Sequence, residues 1–192
     1  SIEDSRFFQH NGFDLPRFIS SALNNLSSGT LSQGGSTLTM QLVDNTWIAN
    51  AKAQATQNGE SLSAIDNIKY KIQEIYLSLL TEQSIDKKAI IVNYLNLIWF
   101  GSDGGTRGVQ NAAQYYFGKD VNDLNLSECA FLAGVINAPL TYNPYNLNGD
   151  STNHYEAATN RRNETLRMMY QHGYISEEER DLAMSTNLSY QL

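Results

Sequence analysis

Ile68-Lys69-Tyr70-Lys71-Ile72-Gln73-Glu74-Ile75-Tyr76-Leu77-Ser78-Leu79-Leu80 carries the strongest helical pattern in the chain. Ile68, Ile72, Ile75, Tyr76, Leu79 and Leu80 recur at the spacing that lines one face of an α-helix, whereas a strand would alternate apolar and polar positions. Downstream, Asp86 is placed to cap a second helix carrying Ile90, Ile91, Tyr94, Leu95 and Ile98, and both are expected to be core helices. Upstream, Asp14 can cap a helix whose apolar positions are Phe18, Ile19, Ala22, Leu23 and Leu26. Pro16 is tolerated in its first turn because the missing N-H has no intrahelical partner there, and Ser27-Ser28-Gly29 stops it. After a turn at Gly34-Gly35, Ser36 can cap another helix that brings Thr37, Gln41, Asp44 and Asn45 onto or near one polar face.

Working further out, Asn125 with Glu128 and Ser176 with Glu179 have capping-box spacing, the second pair after a break at Gly173. The stretches from Gly101 to Gly108 and from Asn137 to Gly149 read as loops, and neither has the pattern of a Walker phosphate loop. Residues 49 to 67 carry no apolar stripe apart from Leu62 and Ile65 and read as a mobile surface segment. Strand signals are nearly absent, so the pattern predicts one mainly helical domain.

The 192 residues suffice for a single domain with a sizeable core, and 41% hydrophobic content is ordinary for a globular chain. A formal net charge of -7 and a pI near 4.9 argue against a nucleic-acid partner, which requires a basic field. The lone cysteine, Cys129, cannot form an internal disulfide, and its setting between Glu128 and Ala130-Phe131-Leu132 reads as a buried small apolar residue. The sequence contains neither a signal peptide nor an apolar run of about 18 residues.

The chemistry is concentrated in Glu3-Asp4-Ser5-Arg6-Phe7-Phe8-Gln9-His10-Asn11-Gly12, where adjacent carboxylates precede an aromatic residue, a histidine and a glycine. Further groups follow in order: Gly34-Gly35-Ser36-Thr37-Leu38-Thr39-Met40-Gln41, Lys71-Ile72-Gln73-Glu74, Tyr94-Leu95-Asn96 and Gly108 through Lys119. Leu132-Ala133-Gly134, Tyr142-Asn143-Pro144 and Arg161-Arg162 complete the series. Each group has a bland reading. Asp4 can cap a turn, His10 can be a structural imidazole, and Lys71 with Glu74 can be an ordinary pair on a helix.

The order and number of these groups resemble the peptidoglycan glycosyltransferase family, which includes the polymerising domain of bifunctional penicillin-binding proteins and the monofunctional transglycosylases. The resemblance implies a mainly α, lysozyme-like domain with a larger lobe and a smaller membrane-proximal lobe. It reads residues 1–192 as that domain, excised from a preceding helix and membrane anchor, with a transpeptidase domain following Leu192 in the bifunctional relatives. It implies an inverting enzyme at the extracytoplasmic face of the cell membrane, acting on lipid II and a growing glycan strand. Glu3 would be the general base and Glu74 the second catalytic carboxylate. Ser36, Thr37, Gln41, Asn45 and Lys71 would contact sugar or diphosphate, while Asp4 and His10 position Glu3. No cofactor and no resident metal are implied, and stimulation by a divalent cation stays open.

The chain departs from the family pattern in three places. Met40 stands where a glutamine is usual, Asp44 where a lysine is common, and Tyr70 where an arginine is common. Two cations are therefore absent from the expected anion-binding set, and Lys69, Lys71, Arg107 and Lys119 are the candidate substitutes. Two other readings stand beside the polymerase: a degenerate domain that holds lipid II or glycan with weak or no polymerase activity, and a lysozyme-like hydrolase with two carboxylates flanking a glycosidic bond.

Overall fold

The structure, a computed structural model, describes residues 2–28, 34–101, 107–145, 149 and 154–191. Gly29, residues 102–106 of the first glycine-rich loop and residues 146–148 of the second lie outside that set. Ten α-helices are present among the described residues: α1 (Leu15–Ser28), α2 (Leu38–Val43), α3 (Ala49–Gln57), α4 (Ala64–Ser84), α5 (Lys87–Leu97), α6 (Val109–Phe117), α7 (Leu126–Val135), α8 (Pro139–Tyr142), α9 (His154–Gln171) and α10 (Glu177–Ser185). The described residues form no strand, only an isolated antiparallel bridge between Trp99 and Arg107. The mainly α class expected from the periodicity is the class observed. The chain divides into two compact units, Arg6–Tyr94 and Ser1–Ser5 with Leu95–Leu192.

Within Arg6–Tyr94, local capping chemistry sets most helix starts. Asp14 accepts the Arg17 backbone N-H at 3.0 Å, and Asp86 accepts that of Ala89 at 2.7 Å. Thr37, one residue beyond the expected Ser36, caps α2 by accepting the Met40 N-H at 3.1 Å. Fully buried, Thr37 also donates its hydroxyl to the Gly12 carbonyl at 2.7 Å, which ties the helix start to the first motif. Gly12 is required at this approach: its φ is +92°, and a Cβ would lie 2.5 Å from the Ser78 carbonyl oxygen of α4.

Residues 49–57, expected within a mobile surface segment, are helical. A π-turn over Asp44–Ile48 carries the chain directly from α2 into α3. Alanines at 49, 51, 53 and 55 favour continuing the helix even though only Ala55 is buried. Turn and coil then run to Ser63, which opens α4 through a capping box with Asp66.

The stripe on α4 faces the other way from its expected position in the core. Ile68, Ile72 and Tyr76 are 61%, 62% and 60% exposed, whereas Glu74 and Ser78 are buried. The face of α4 turned into the unit and packed beside α2 is thus its polar one. On α1, Leu15, Ile19 and Leu23 are also exposed. The apolar interior of this unit instead comes from Phe7, Met40, Leu42, Val43, Ile48, Ile90 and Tyr94.

In the other unit, α9 packs against α7, α8 and α10. Phe100, Tyr116 and Phe131 are completely or almost completely buried, and the Tyr116 hydroxyl donates to the Phe100 carbonyl at 2.6 Å. Both expected capping boxes are present, at Asn125 with Glu128 and at Ser176 with Glu179. Cys129 is exposed, contrary to its expected burial. Buried Ser127, Glu128, Ala130, Phe131, Leu132, Gly134 and Val135 take up the inner side of α7, and the helical turn angle leaves position 129 on the opposite side.

Arg162 is 3% exposed and binds the carbonyls of Ala183, Met184 and Thr186, at 3.0, 3.2 and 2.9 Å, where α10 ends. Such orphan carbonyls need donors, and a buried guanidinium supplies several from one side chain.

Candidate active site

The third motif lies on the inner face of α4. Lys71 Nζ is 2.7 Å from Glu74 Oε1 and donates to Ser36 Oγ at 2.8 Å, so Ser36, Lys71 and Glu74 form one polar group. Burial pushes the Glu74 carboxyl above its ordinary pKa, against the lowering effect of the Lys71 hydrogen bond and charge. The Asp44 charge adds to that rise, and the Lys52 charge opposes it.

Asp44 and Tyr70 share a neighbour that sequence reading missed. Lys52 of α3 places its ammonium 3.8 Å from the Asp44 carboxylate and 5.6 Å from the centroid of the Tyr70 ring. Of the four candidate substitutes named from sequence, Lys71 lies in the polar group above, and the other three have partners of their own. Lys69 pairs with Asp66 at 3.0 Å, Lys119 with Glu128 at 2.6 Å, and Arg107 donates to the Leu97 carbonyl at 3.2 Å. Lys52 had no recognisable signal, because it stands in a segment without apolar periodicity. Met40 is fully buried, so this departure is a packing residue.

Gln41 accepts the Tyr94 hydroxyl at 3.0 Å, and the Asn45 amide donates to the Gln41 carbonyl at 2.8 Å. Tyr94 therefore positions the side chain of Gln41, while Asn45 is engaged with its own helix backbone. The expected substrate contact of Thr37 gives way to a scaffolding role, since its hydroxyl is buried and bonded as a cap. His10 Nδ1 accepts the Gly12 N-H at 3.2 Å, and its carbonyl accepts Lys87 Nζ at 2.6 Å. The Lys87 ammonium also lies 4.3 Å from the centroid of the buried Phe7 ring. Both residues shape the turn of the first motif.

Glu3 belongs to the other unit, with Asp4 buried beside it in sequence. The Glu3 side chain is 17% exposed and lies 3.6 Å from the Arg161 guanidinium, itself 11% exposed. A carboxylate held beside a fixed cation has the chemistry to accept a proton. Arg161 lies far from Glu3 along the chain, so only folding reveals their contact.

A model of the transglycosylase family matches residues 1–170. Penicillin-binding protein 1A of Streptococcus pneumoniae is 40% identical over 98% of this chain and 23% of its own length. The protein of that name from Vibrio cholerae is 40% identical over 95% of this chain and 19% of its own length. The chain thus spans about a fifth to a quarter of the curated relatives it matches. A crystal structure of penicillin-binding protein 1A from Haemophilus influenzae aligns over 59% of this chain and 16% of that chain, at 40% identity and a TM-score of 0.48.

Proposed function

This chain belongs to the transglycosylase family, and on that premise we propose that it is a peptidoglycan glycosyltransferase domain that polymerises lipid II. Glu3 takes the proton from the 4-hydroxyl of the acceptor GlcNAc. The oxygen attacks MurNAc C1 of the growing strand, the C1–oxygen bond to the diphosphate breaks, and undecaprenyl pyrophosphate leaves with the bonding electron pair. The product is a β-1,4 linkage with inversion at C1, and the proton resides on Glu3 until solvent removes it. The observation that carries this reading is the largely buried Glu3 carboxylate held beside Arg161 in a chain of this family.

Lys71 is a donor toward the leaving diphosphate, and Glu74 and Ser36 orient it. Lys52 supplies the second cation, in place of those absent at positions 44 and 70. The family match and the penicillin-binding protein 1A relatives favour the polymerase over a degenerate binder. Gln41 lies on α2 and Asn45 in the π-turn that follows it, both elements packed beside α4. No organic cofactor enters this reaction, and a divalent cation that stimulated it would act on the diphosphate.

The exposed apolar faces of α1 and α4 are suited to a lipid surface, which would bring the unit to the membrane carrying its substrate. No helix among the described residues is long and apolar enough to cross a membrane. Residues 1–192 are proposed as the glycosyltransferase domain of a longer, membrane-anchored protein acting at the extracytoplasmic face, because they cover about a fifth to a quarter of the relatives they match. A transpeptidase domain beyond Leu192 is a further part of that proposal. Incubation with labelled lipid II tests the function: polymer supports it, binding without polymer supports a binding module, and shortening of preformed glycan supports a hydrolase.

A further inference from the structure

Three of the sequence motifs converge on one side chain. Arg161 Nε donates to the Gly134 carbonyl at 3.1 Å, its NH1 binds Glu164 at 2.7 Å, and its guanidinium carbon lies 5.3 Å from the centroid of the Tyr142 ring. Gly134 closes the Leu132-Ala133-Gly134 motif, Tyr142 opens the Tyr142-Asn143-Pro144 motif, and Arg161 opens the last. A Cβ at position 134 would meet Thr165 Oγ1 at 2.8 Å and Arg161 Cγ at 3.1 Å, so the absence of a side chain leaves room for the arginine stem. The fourth direction of this clamped cation is toward Glu3.

We propose that Arg161 is a positioning residue for the Glu3 base, held in place by Gly134, Tyr142 and Glu164. This inference rests on the reading of Glu3 as the proton acceptor. The 3.6 Å separation is an electrostatic contact longer than a hydrogen bond. At that distance the guanidinium attracts and aims the carboxylate. An oxygen aimed in this way can accept the acceptor hydroxyl's proton in the transition state. Glu164 takes the shorter bond, which keeps Arg161 from closing onto Glu3 as a bidentate pair. Arg161 thus acts through Glu3 and is assigned no contact with substrate.

A double-mutant cycle reads this coupling directly, because two residues acting as one unit have non-additive effects. Arg161→Met is expected to lower kcat for lipid II polymerisation by about 10- to 100-fold, the range of a lost charge-assisted contact, with less than about threefold change in KM. Arg161→Lys, which keeps the charge without the fork, should recover part of that loss. In a Glu3→Gln background, where no base remains to be positioned, Arg161→Met should change the residual rate by less than about threefold. Equal fold losses in both backgrounds, or a loss appearing only in KM, would overturn the proposal. Thermal unfolding is measured on each variant. Should Arg161→Met fail to fold, Arg161→Gln, which keeps an amide donor for the Gly134 carbonyl, carries the same cycle. A Glu3→Gln protein with undiminished turnover would instead remove the base assignment on which the inference rests.

Discussion

Lys52 lies 3.8 Å from Asp44, so the aspartate that stands where the family commonly has a lysine holds a lysine from the next helix. In the proposed reaction Lys52 takes the cationic role that positions 44 and 70 do not fill. Both side chains are partly exposed, so the contribution to substrate binding is screened by salt. Lys52→Met is expected to raise KM for lipid II by about 3- to 10-fold at low ionic strength and by less at high salt. Asp44→Lys combined with Tyr70→Arg should give no gain, because it crowds like charges around Lys52. Wild-type KM in Lys52→Met together with a tenfold gain in the double variant would show the substitution to be absent.

Glu74 gives a pH signature in stability. Its folded pKa is raised above the reference value of 4.5, mainly by burial, so the folded state holds the proton more tightly than the unfolded state. This group's stabilising contribution is therefore fully present below the unfolded pKa and is lost as pH rises through the folded one. Removing the ionisable group should flatten that part of the profile. The thermal midpoint of Glu74→Gln relative to wild type is expected to improve as pH rises above 4.5 through the raised folded value, whatever constant offset follows from loss of the Lys71 ion pair. Parallel profiles for the two proteins would contradict the burial argument.

The local chemistry of helix starts was legible in the sequence because a cap depends on a few adjacent residues. Asp14, Asp86, Asn125 and Ser176 each cap where their spacing implies. The start of α2 was displaced by one residue, since Ser36 and Thr37 are equivalent in sequence and only the Gly12 carbonyl distinguishes them. The orientation of α4 was not legible. Periodicity reveals that a helix has two faces but leaves open which one turns inward, and here the Lys71-Glu74-Ser78 face does. Arg161 and Lys52 were missed for a related reason: each acquires its role from residues that only folding brings near.

The outward α4 stripe supports a membrane prediction. Ile68→Ser, Ile72→Ser and Tyr76→Ser combined are expected to weaken binding to phosphatidylcholine vesicles by at least tenfold, since each buried apolar side chain contributes roughly 1.5 to 3 kcal/mol when removed from water. The fold should persist, because these side chains are about 60% exposed. Vesicle co-sedimentation of the triple variant at wild-type levels would assign the stripe to something other than lipid.

Arg162 separates from its neighbour Arg161 in role. It is buried and holds the end of α10, whereas Arg161 faces Glu3. Arg162→Leu leaves three carbonyls without this donor and is expected to destabilise the chain by about 2 to 5 kcal/mol, read from denaturant midpoints at unchanged m-value. A shift below about 0.5 kcal/mol would mean that water replaces the guanidinium at the helix end.

The role of Glu3 as the base of a lipid II polymerase is tested by turnover of Glu3→Gln, which is nearly isosteric but cannot accept the proton at neutral pH. With folding verified by thermal unfolding and lipid II binding retained, polymerisation is expected to fall by roughly 100- to 10,000-fold. Near-normal polymerisation by the folded Glu3→Gln protein would contradict the account.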